Sequence, residues 1–372
     1  MAQPEKILVR GVNWLGDAVM TTPALQRLRE AKPGAHITLL THEKLAGLWH
    51  RHPSLDVVMT FAAVESVFSI ARRLRVEAFT SAIVLPNSPR SALEVFLARI
   101  PERAGLARPW RNWFLTRTVP PRAGAEAMRK RSAKEVRRRI SAGSSRDVFP
   151  STSHHMHDYL RLVAACGASA EPMAPLLSVG VDEVAAVKQR FSLANDTPLF
   201  GLNAGAEYGP AKRWPAERFV EAASLLHQET RCRWVLFGGP IDRELVGDLA
   251  GKLAAKIAGS NVINICGQTS LRELCAALKA CEILLTNDTG PMHVAAALGT
   301  PVVVPFGSTS PELTGPISAA GVRHELILGE APCAPCFLSE CPVDFRCMTS
   351  ITVPQVVAAA RQARAFQHPD GR

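Results

Sequence analysis

The stretch 281–307, Cys-Glu-Ile-Leu-Leu-Thr-Asn-Asp-Thr-Gly-Pro-Met-His-Val-Ala-Ala-Ala-Leu-Gly-Thr-Pro-Val-Val-Val-Pro-Phe-Gly, constrains the fold of this chain more than any other. The apolar run at 283–285 reads as a buried strand entering a polar turn of Asn287, Asp288, Thr289 and Gly290. A helix then starts with Pro291 in its first turn, where a missing N–H costs nothing. His293 falls on the opening turn, Gly299 ends the helix, and 301–305 is a second apolar strand. Free backbone N–H groups and the helix dipole point at such a turn, which suits it to an anion. A purely structural turn explains Gly290 and Pro291 equally well. It does not explain why Asp, Thr and His crowd one rim.

Strand signals alternate with helical ones along the whole chain, which predicts an α/β architecture of mainly parallel sheets. Strands are expected at 7–10, 36–40, 57–60 and 80–85, with helices at 18–31 and 93–100 between them. A second series places strands at 199–203, 234–237, 262–265, 283–286 and 302–305, with helices at 215–229, 242–253 and 271–280. Each half opens with a strand and a glycine-containing loop, so the chain divides near 180–195. The expected domains are 1–185 and 186–372, with the last helix, 356–366, able to pack back on the first domain and the final six residues frayed. Two doubly wound, Rossmann-like domains facing a central cleft would bind a ligand between the carboxyl ends of their sheets.

The net charge of +10 is unevenly placed. Residues 1–185 hold 26 Lys and Arg against 16 Asp and Glu, whereas 186–372 hold 17 of each. That bias suggests an anionic partner for the first half, a solvated basic face being the alternative. Residues 122–146 alone carry nine basic residues against Glu126 and Glu135. Met128, Val136 and Ile140 could make this run a weakly amphipathic helix; disorder explains it equally well. A resting place on an anionic membrane leaflet would fit the cluster. No apolar run reaches the ~20 residues that span a bilayer. The N-terminus lacks the apolar core of a signal peptide, and nine cysteines, several in apolar stretches, agree with a reducing, cytoplasmic setting.

Three groups of residues could do chemistry. The first strand leads into Gly11-Val12-Asn13-Trp14-Leu15-Gly16-Asp17, where the glycines permit a tight turn and Asp17 begins a helix. Asp17 could cap that helix or serve as a general base, and spacing leaves the two open. A third glycine is missing, so no dinucleotide fingerprint is present. The strand at 199–203 enters 204–215, a small-residue loop with Lys212 and Arg213 just before Pro215. This is a phosphate-binding arrangement, though without the Gly-Lys-Ser/Thr ending of a P-loop. Lys212 and the helix start at Gly290 could converge on a diphosphate. No Asp-x-Asp pair exists to bridge a metal to it, which favours metal-independent transfer. Last, Cys333, Cys336, Cys341 and Cys347 follow C-x2-C-x4-C-x5-C. Four thiols could hold zinc or an iron–sulfur cluster, but the spacing matches neither common zinc pattern, and a reduced loop with incidental thiols is the other reading.

Trp-Leu-Gly-Asp (14–17), Leu-Pro-Asn-Ser (85–88), Gly-Ala-Glu-Tyr-Gly-Pro-Ala-Lys-Arg-Trp-Pro (205–215) and Asn-Asp-Thr-Gly-Pro-Met-His-Val-Ala-Ala-Ala-Leu (287–298) together resemble the ADP-heptose:lipopolysaccharide heptosyltransferases of glycosyltransferase family 9. The likeness spans nearly the whole chain in order. It implies the GT-B fold and inverting, metal-independent transfer without a cofactor in the cytosol of a Gram-negative bacterium. It also implies an ADP-heptose donor in the second domain and an anionic lipid A–inner core acceptor in the first. By the resemblance Asp17 is the catalytic base and Lys212 binds the donor diphosphate. Asp288, Thr289, Gly290 and His293 form the donor loop, Glu244 lies near the ribose, and Asn13, Gly16 and Asn87 face the acceptor. The basic run and the cysteine cluster have no clear equivalent. Rival readings are a family member adding a different core heptose, a nucleotide-sugar epimerase, and a nucleic-acid-binding protein. The last predicts aromatic residues among the charges, and 122–146 has none.

Overall fold

The computed structural model describes residues 5–122, 124–126, 128–193, 197–318 and 321–367; residues 368–372, within the end expected to fray, lie outside them. The chain forms two compact units, 1–125 with 152–178 and 126–151 with 179–372. Each is built on a six-stranded sheet whose pairings are all parallel.

In the first unit the strands are β1 (Lys6–Arg10), β2 (His36–His42), β3 (Val57–Phe61), β4 (Ser81–Val84), β5 (Glu102–Leu106) and β6 (Arg117–Val119). Their spatial order is β3-β2-β1-β4-β5-β6. The first four agree with the expected strands. β5 and β6 do not appear in the sequence reading, because Glu-Arg-Ala-Gly-Leu and Arg-Thr-Val offer no apolar run. The single helix expected over 18–31 is two, Leu15–Met20 and Thr22–Ala31. Pro23 has no N–H for the Val19 carbonyl, and the Thr22 hydroxyl takes its place at 2.8 Å.

The second unit has β7 (Leu199–Asn203), β8 (Arg233–Leu236), β9 (Val262–Asn264), β10 (Ile283–Thr286), β11 (Val302–Phe306) and β12 (Glu325–Leu328), ordered β12-β11-β10-β7-β8-β9. Every residue of β7, β10 and β11 is buried, as expected of central parallel strands covered on both faces. The expected helices appear at Ala216–Thr230, Arg243–Ala254 and Leu271–Lys279. The last helix, Val353–Gln367, packs on Ala216–Thr230 and on β10, β11 and β12 of its own unit.

A division at residue 185 would leave the basic run in the first unit; the structure puts 126–151 in the second. Its centre is a helix, Ala133–Ser141, whose first turn is capped by the Ser132 hydroxyl accepting the Glu135 N–H. Val136 is 1% exposed in the second unit's core, and Ile140 packs beside it. Met128, the third residue of the expected apolar face, is exposed. The charge bias shrinks accordingly: the first unit holds 18 basic and 11 acidic residues, net +7, and the second 25 and 22.

One titratable group inside the first unit links its stability to pH. His52 is 4% exposed, its Nε2 donating to the Leu176 carbonyl at 3.2 Å and its Nδ1 accepting the Ser54 N–H. Burial pushes its pKa from 6.5 down to about 4. In that window the unfolded chain binds the extra proton, so stability present above pH 6.5 is lost as pH falls toward 4. The full effect is roughly 3 kcal/mol. His52→Gln should be less stable at neutral pH yet lose less stability on acidification, which urea denaturation at neutral pH and at pH about 5 would measure.

Candidate active site

Strand order in the second sheet reverses between β7 and β10, and ligands of doubly wound sheets bind at the carboxyl ends of strands at such a point. Both motifs singled out in this half leave the sheet there, 204–215 from β7 and 287–290 from β10. Register sets Asn203 opposite Thr286, with the Asn203 Nδ2 donating to the Thr286 Oγ1 at 3.0 Å. Asn287, fully buried, donates through Nδ2 to the Ala204 carbonyl at 2.8 Å. Its Oδ1 accepts the backbone N–H of Trp214 at 2.9 Å. One carboxamide therefore holds both ends of the 204–214 loop. Trp214 is itself fixed, its indole N–H on the Ile351 carbonyl at 3.0 Å and its ring edge-on to Phe219. Gly205 lets the loop run against Asp242, since a Cβ there would sit 2.7 Å from the carboxylate.

Between those fixed ends the Lys212 Nζ lies 2.6 Å from the Asp288 Oδ2. Side-chain exposures of 15% for Lys212 and 4% for Asp288 make this a largely desolvated pair. Thr309, in the loop after β11, donates its hydroxyl to the same oxygen at 2.6 Å. Lys212 also lies 5.1 Å from the centroid of the Tyr208 ring, and Lys130 of the inserted segment lies 5.5 Å from it. The Tyr208 hydroxyl donates to the Phe337 carbonyl, so the ring is anchored beneath two ammonium groups. Thr289 is the residue before the helix Gly290–Ala297, which begins at Gly290 as expected. His293 is buried on its first turn. Lys212, Asp288, Thr289, Gly290 and His293 thus gather at one switch point. Glu244 sits apart on the connection after β8, exposed on the first turn of Arg243–Ala254 and without an ion-pair partner among the described residues.

The basic run braces this site. Arg146 donates to the carbonyls of Thr309 at 2.8 Å, Gly329 at 3.3 Å and Gly307 at 3.4 Å. Arg131 donates to the Cys333 carbonyl and pairs with Asp147, which Arg139 also binds. Arg129 pairs with Glu135, and Arg122, on the first unit, with Asp158. Five of the nine cations are committed to internal partners, which corrects the picture of a free basic surface. Cys333, Cys336 and Cys347 are buried under the same segment. Burial, with the other three thiols of the cluster contributing, pushes the Cys347 thiol up to about 12. Among the described residues no three His, Cys, Asp or Glu side chains are grouped to hold a metal ion.

The first sheet has its own switch point between β1 and β4, and the remaining expected residues lie on its rim. Asp17 is half-buried in the helix Leu15–Met20, where the capping position belongs to Trp14 and no side chain caps. The cap reading of Asp17 is thereby closed. Its carboxylate acts on Tyr159 of the helix Met156–Ala164, whose hydroxyl pKa is raised by burial first and by Asp17 next. Asn13 is exposed and accepts from Arg10 at 3.2 Å, Gly16 lies within the helix, and Asn87 is exposed and accepts from Arg111 at 3.4 Å. Beneath the rim Arg10 and Glu94 form a buried pair at 2.8 Å that ties β1 to the helix Pro89–Leu97. Tyr159, Thr309 and Lys130 escaped the sequence reading. Tyr208 stood inside a motif, but its ring contact depends on a segment 78 residues upstream.

The profile of glycosyltransferase family 9 (heptosyltransferase) matches residues 123–345. The chain belongs to that family. It is 31% identical over 331 residues, 87% of this chain and 89% of the relative, to lipopolysaccharide heptosyltransferase 2 of Salmonella typhimurium. Its fold matches that of ADP-heptose lipopolysaccharide heptosyltransferase II of Escherichia coli with a TM-score of 0.77 and 27% identity, covering 99% of this chain and 100% of that one. A family 9 structure from Veillonella parvula matches with a TM-score of 0.78 and 24% identity, over 98% of both chains. The two doubly wound units are those of the GT-B fold, and the protein is a glycosyltransferase.

Because Asn287 satisfies a buried carbonyl and a buried N–H at once, Asn287→Ala should destabilise the second unit by about 2–6 kcal/mol, a penalty of ~1–3 kcal/mol for each of two orphaned groups. Urea denaturation would measure the loss, and donor affinity should fall with it as the Lys212 loop loosens.

Proposed function

We propose that this glycosyltransferase moves heptose from ADP-heptose to the first heptose of the lipopolysaccharide inner core, with inversion and without a metal ion. The observation behind this reading is the switch point of the second unit. There Lys212 and the N-terminus of the helix Gly290–Ala297 stand at one sheet edge, on a loop pinned by Asn287. A departing nucleoside diphosphate accumulates negative charge, and a cation and a helix dipole held at one sheet edge are placed to stabilise that charge. The resemblance to heptosyltransferase 2 over most of the chain supports heptose as the sugar and the core as the acceptor.

Inverting transfer also requires a base to take the proton of the acceptor hydroxyl as the sugar passes through an oxocarbenium-like state. Asp17 is assigned that role on the family motif and on its half-buried place at the rim of the first sheet. Thr289, Gly290 and His293 complete the donor loop in this reading, Glu244 meets the ribose, and Asn13, Gly16 and Asn87 meet the acceptor. The acceptor carries a lipid anchor, so the enzyme works at a cytoplasmic membrane surface although no described helix is long and apolar enough to cross one.

Incubation of the purified protein with ADP-heptose and truncated cores ending in Kdo, one heptose or two would identify the acceptor. Extension of the one-heptose core is the expected result, and extension only of another would assign the chain to a different core position. Asp17→Asn should abolish transfer and leave ADP-heptose binding within about twofold, since it removes the base but no donor contact. Turnover near the parent rate would remove Asp17 from the mechanism. Lys212→Ala should lower kcat/KM by roughly a hundredfold or more, with kcat falling as well as affinity, because its contact strengthens toward the transition state.

A further inference from the structure

The connection after β5 presents two tryptophans to solvent. Trp110 is 82% exposed and Trp113 86% exposed, and Arg111 between them is fully buried. Arg111 donates to the Pro86 carbonyl at 2.6 Å and to Asn87 at 3.4 Å. Gly105 makes room for it, since a Cβ there would lie 2.7 Å from the guanidinium and 2.9 Å from Leu115. Phe114 packs on Phe96, and Asn112 accepts the Arg108 N–H, so the loop is rigid on its inner side. Trp110 adopts φ +67, a left-handed conformation that strains a bulky residue. Rigid anchorage plus a strained backbone turns two of the largest apolar side chains outward, where nothing in their own unit covers them.

The same rim is apolar elsewhere. Trp14, after β1, is 53% exposed, and Val64, after β3, is 94% exposed. All these connections leave the carboxyl edge of one parallel sheet, the edge that also bears Asp17 and Asn87. The unit bearing them is net +7. Exposed tryptophan on a unit of net positive charge is the composition that settles at the boundary of headgroups and acyl chains of an anionic bilayer.

We infer that Trp110 and Trp113 form a docking surface for an anionic lipid bilayer, inserting at the headgroup boundary and holding the carboxyl rim of the first sheet at the membrane. The inference deepens the proposed function, because it supplies the means by which a lipid-anchored acceptor reaches Asp17 and Asn87. It also moves membrane contact away from 122–146, where five of nine cations are bound internally.

The test uses the full chain with vesicles of phosphatidylethanolamine and phosphatidylglycerol, and with vesicles of phosphatidylcholine alone. Co-sedimentation and the blue shift of tryptophan emission report binding. Trp110→Asn/Trp113→Ser is the informative variant, since asparagine tolerates the left-handed backbone and neither parent side chain is buried. It should weaken binding to the anionic vesicles by roughly tenfold or more, two partly inserted aromatic rings being lost. Transfer to a deacylated, water-soluble core should be unchanged. Parent-like vesicle binding by this variant overturns the inference. So does equal binding of the parent to both vesicle types, or loss of binding on Arg137→Glu/Arg138→Glu with both tryptophans intact. Failure of the parent to extend any deacylated core, with vesicle binding intact, would instead count against the proposed reaction.

Discussion

A single buried carboxamide, Asn287, holds the second unit's switch point in shape. Parallel strands give two connections that leave neighbouring strands in the same direction, and nothing in strand pairing dictates how those connections meet. Here the amide of Asn287 reaches from the end of β10 to the carbonyl just after β7, while its oxygen receives the N–H just before the helix Ala216–Thr230. The eleven residues 204–214 are therefore closed at both ends by one side chain that has no water to fall back on. Lys212 inherits its position from that closure, and so does the direction in which its ammonium group points.

The inserted segment 126–151 acts on the same region from outside the sheet. Arg146 binds three carbonyls around the β11 connection, the one that delivers Thr309 to Asp288. Val136 fills the core below, and Lys130 shares the Tyr208 ring with Lys212. A run that composition alone presents as a charged and loosely held stretch is thus a brace, its arginines capping strand-end carbonyls that would otherwise need water or a partner. The cost of burying those guanidinium groups is offset by multiple acceptors each, which a lysine could not engage at once.

The sequence was legible where local pattern and tertiary role coincide. Buried central strands such as β7, β10 and β11 are apolar runs, and the turns after them advertise Gly, Pro and polar residues for reasons that act within a few positions. Strands β5, β6 and β12, toward the sheet edges, are partly exposed, so their residues answer to neighbours far along the chain. The same distinction runs through the site. Lys212 and Asp288 could be named from their motifs, but their mutual pairing at 2.6 Å could not, because it depends on strand order. Tyr159 and Lys130 had no local signal at all: one matters through its neighbour Asp17, the other through a ring 78 residues away.

The Lys212–Asp288 pair has a consequence for the proposed chemistry. A lysine already neutralised by a desolvated carboxylate offers little to a weak anion, since binding must either break the pair or accept a nearby negative charge. In the proposed reaction a diphosphate would carry enough charge to compete for the ammonium group, and it would gain the helix N-terminus at Gly290 in the same place. As the sugar bond breaks, charge on the leaving diphosphate grows, and the balance tips further toward the substrate and away from Asp288. An interaction that strengthens along the reaction lowers the barrier, whereas one fully formed in the ground state would only tighten binding. Asp288, whose same oxygen also accepts the Thr309 hydroxyl, is suited to make that contact conditional.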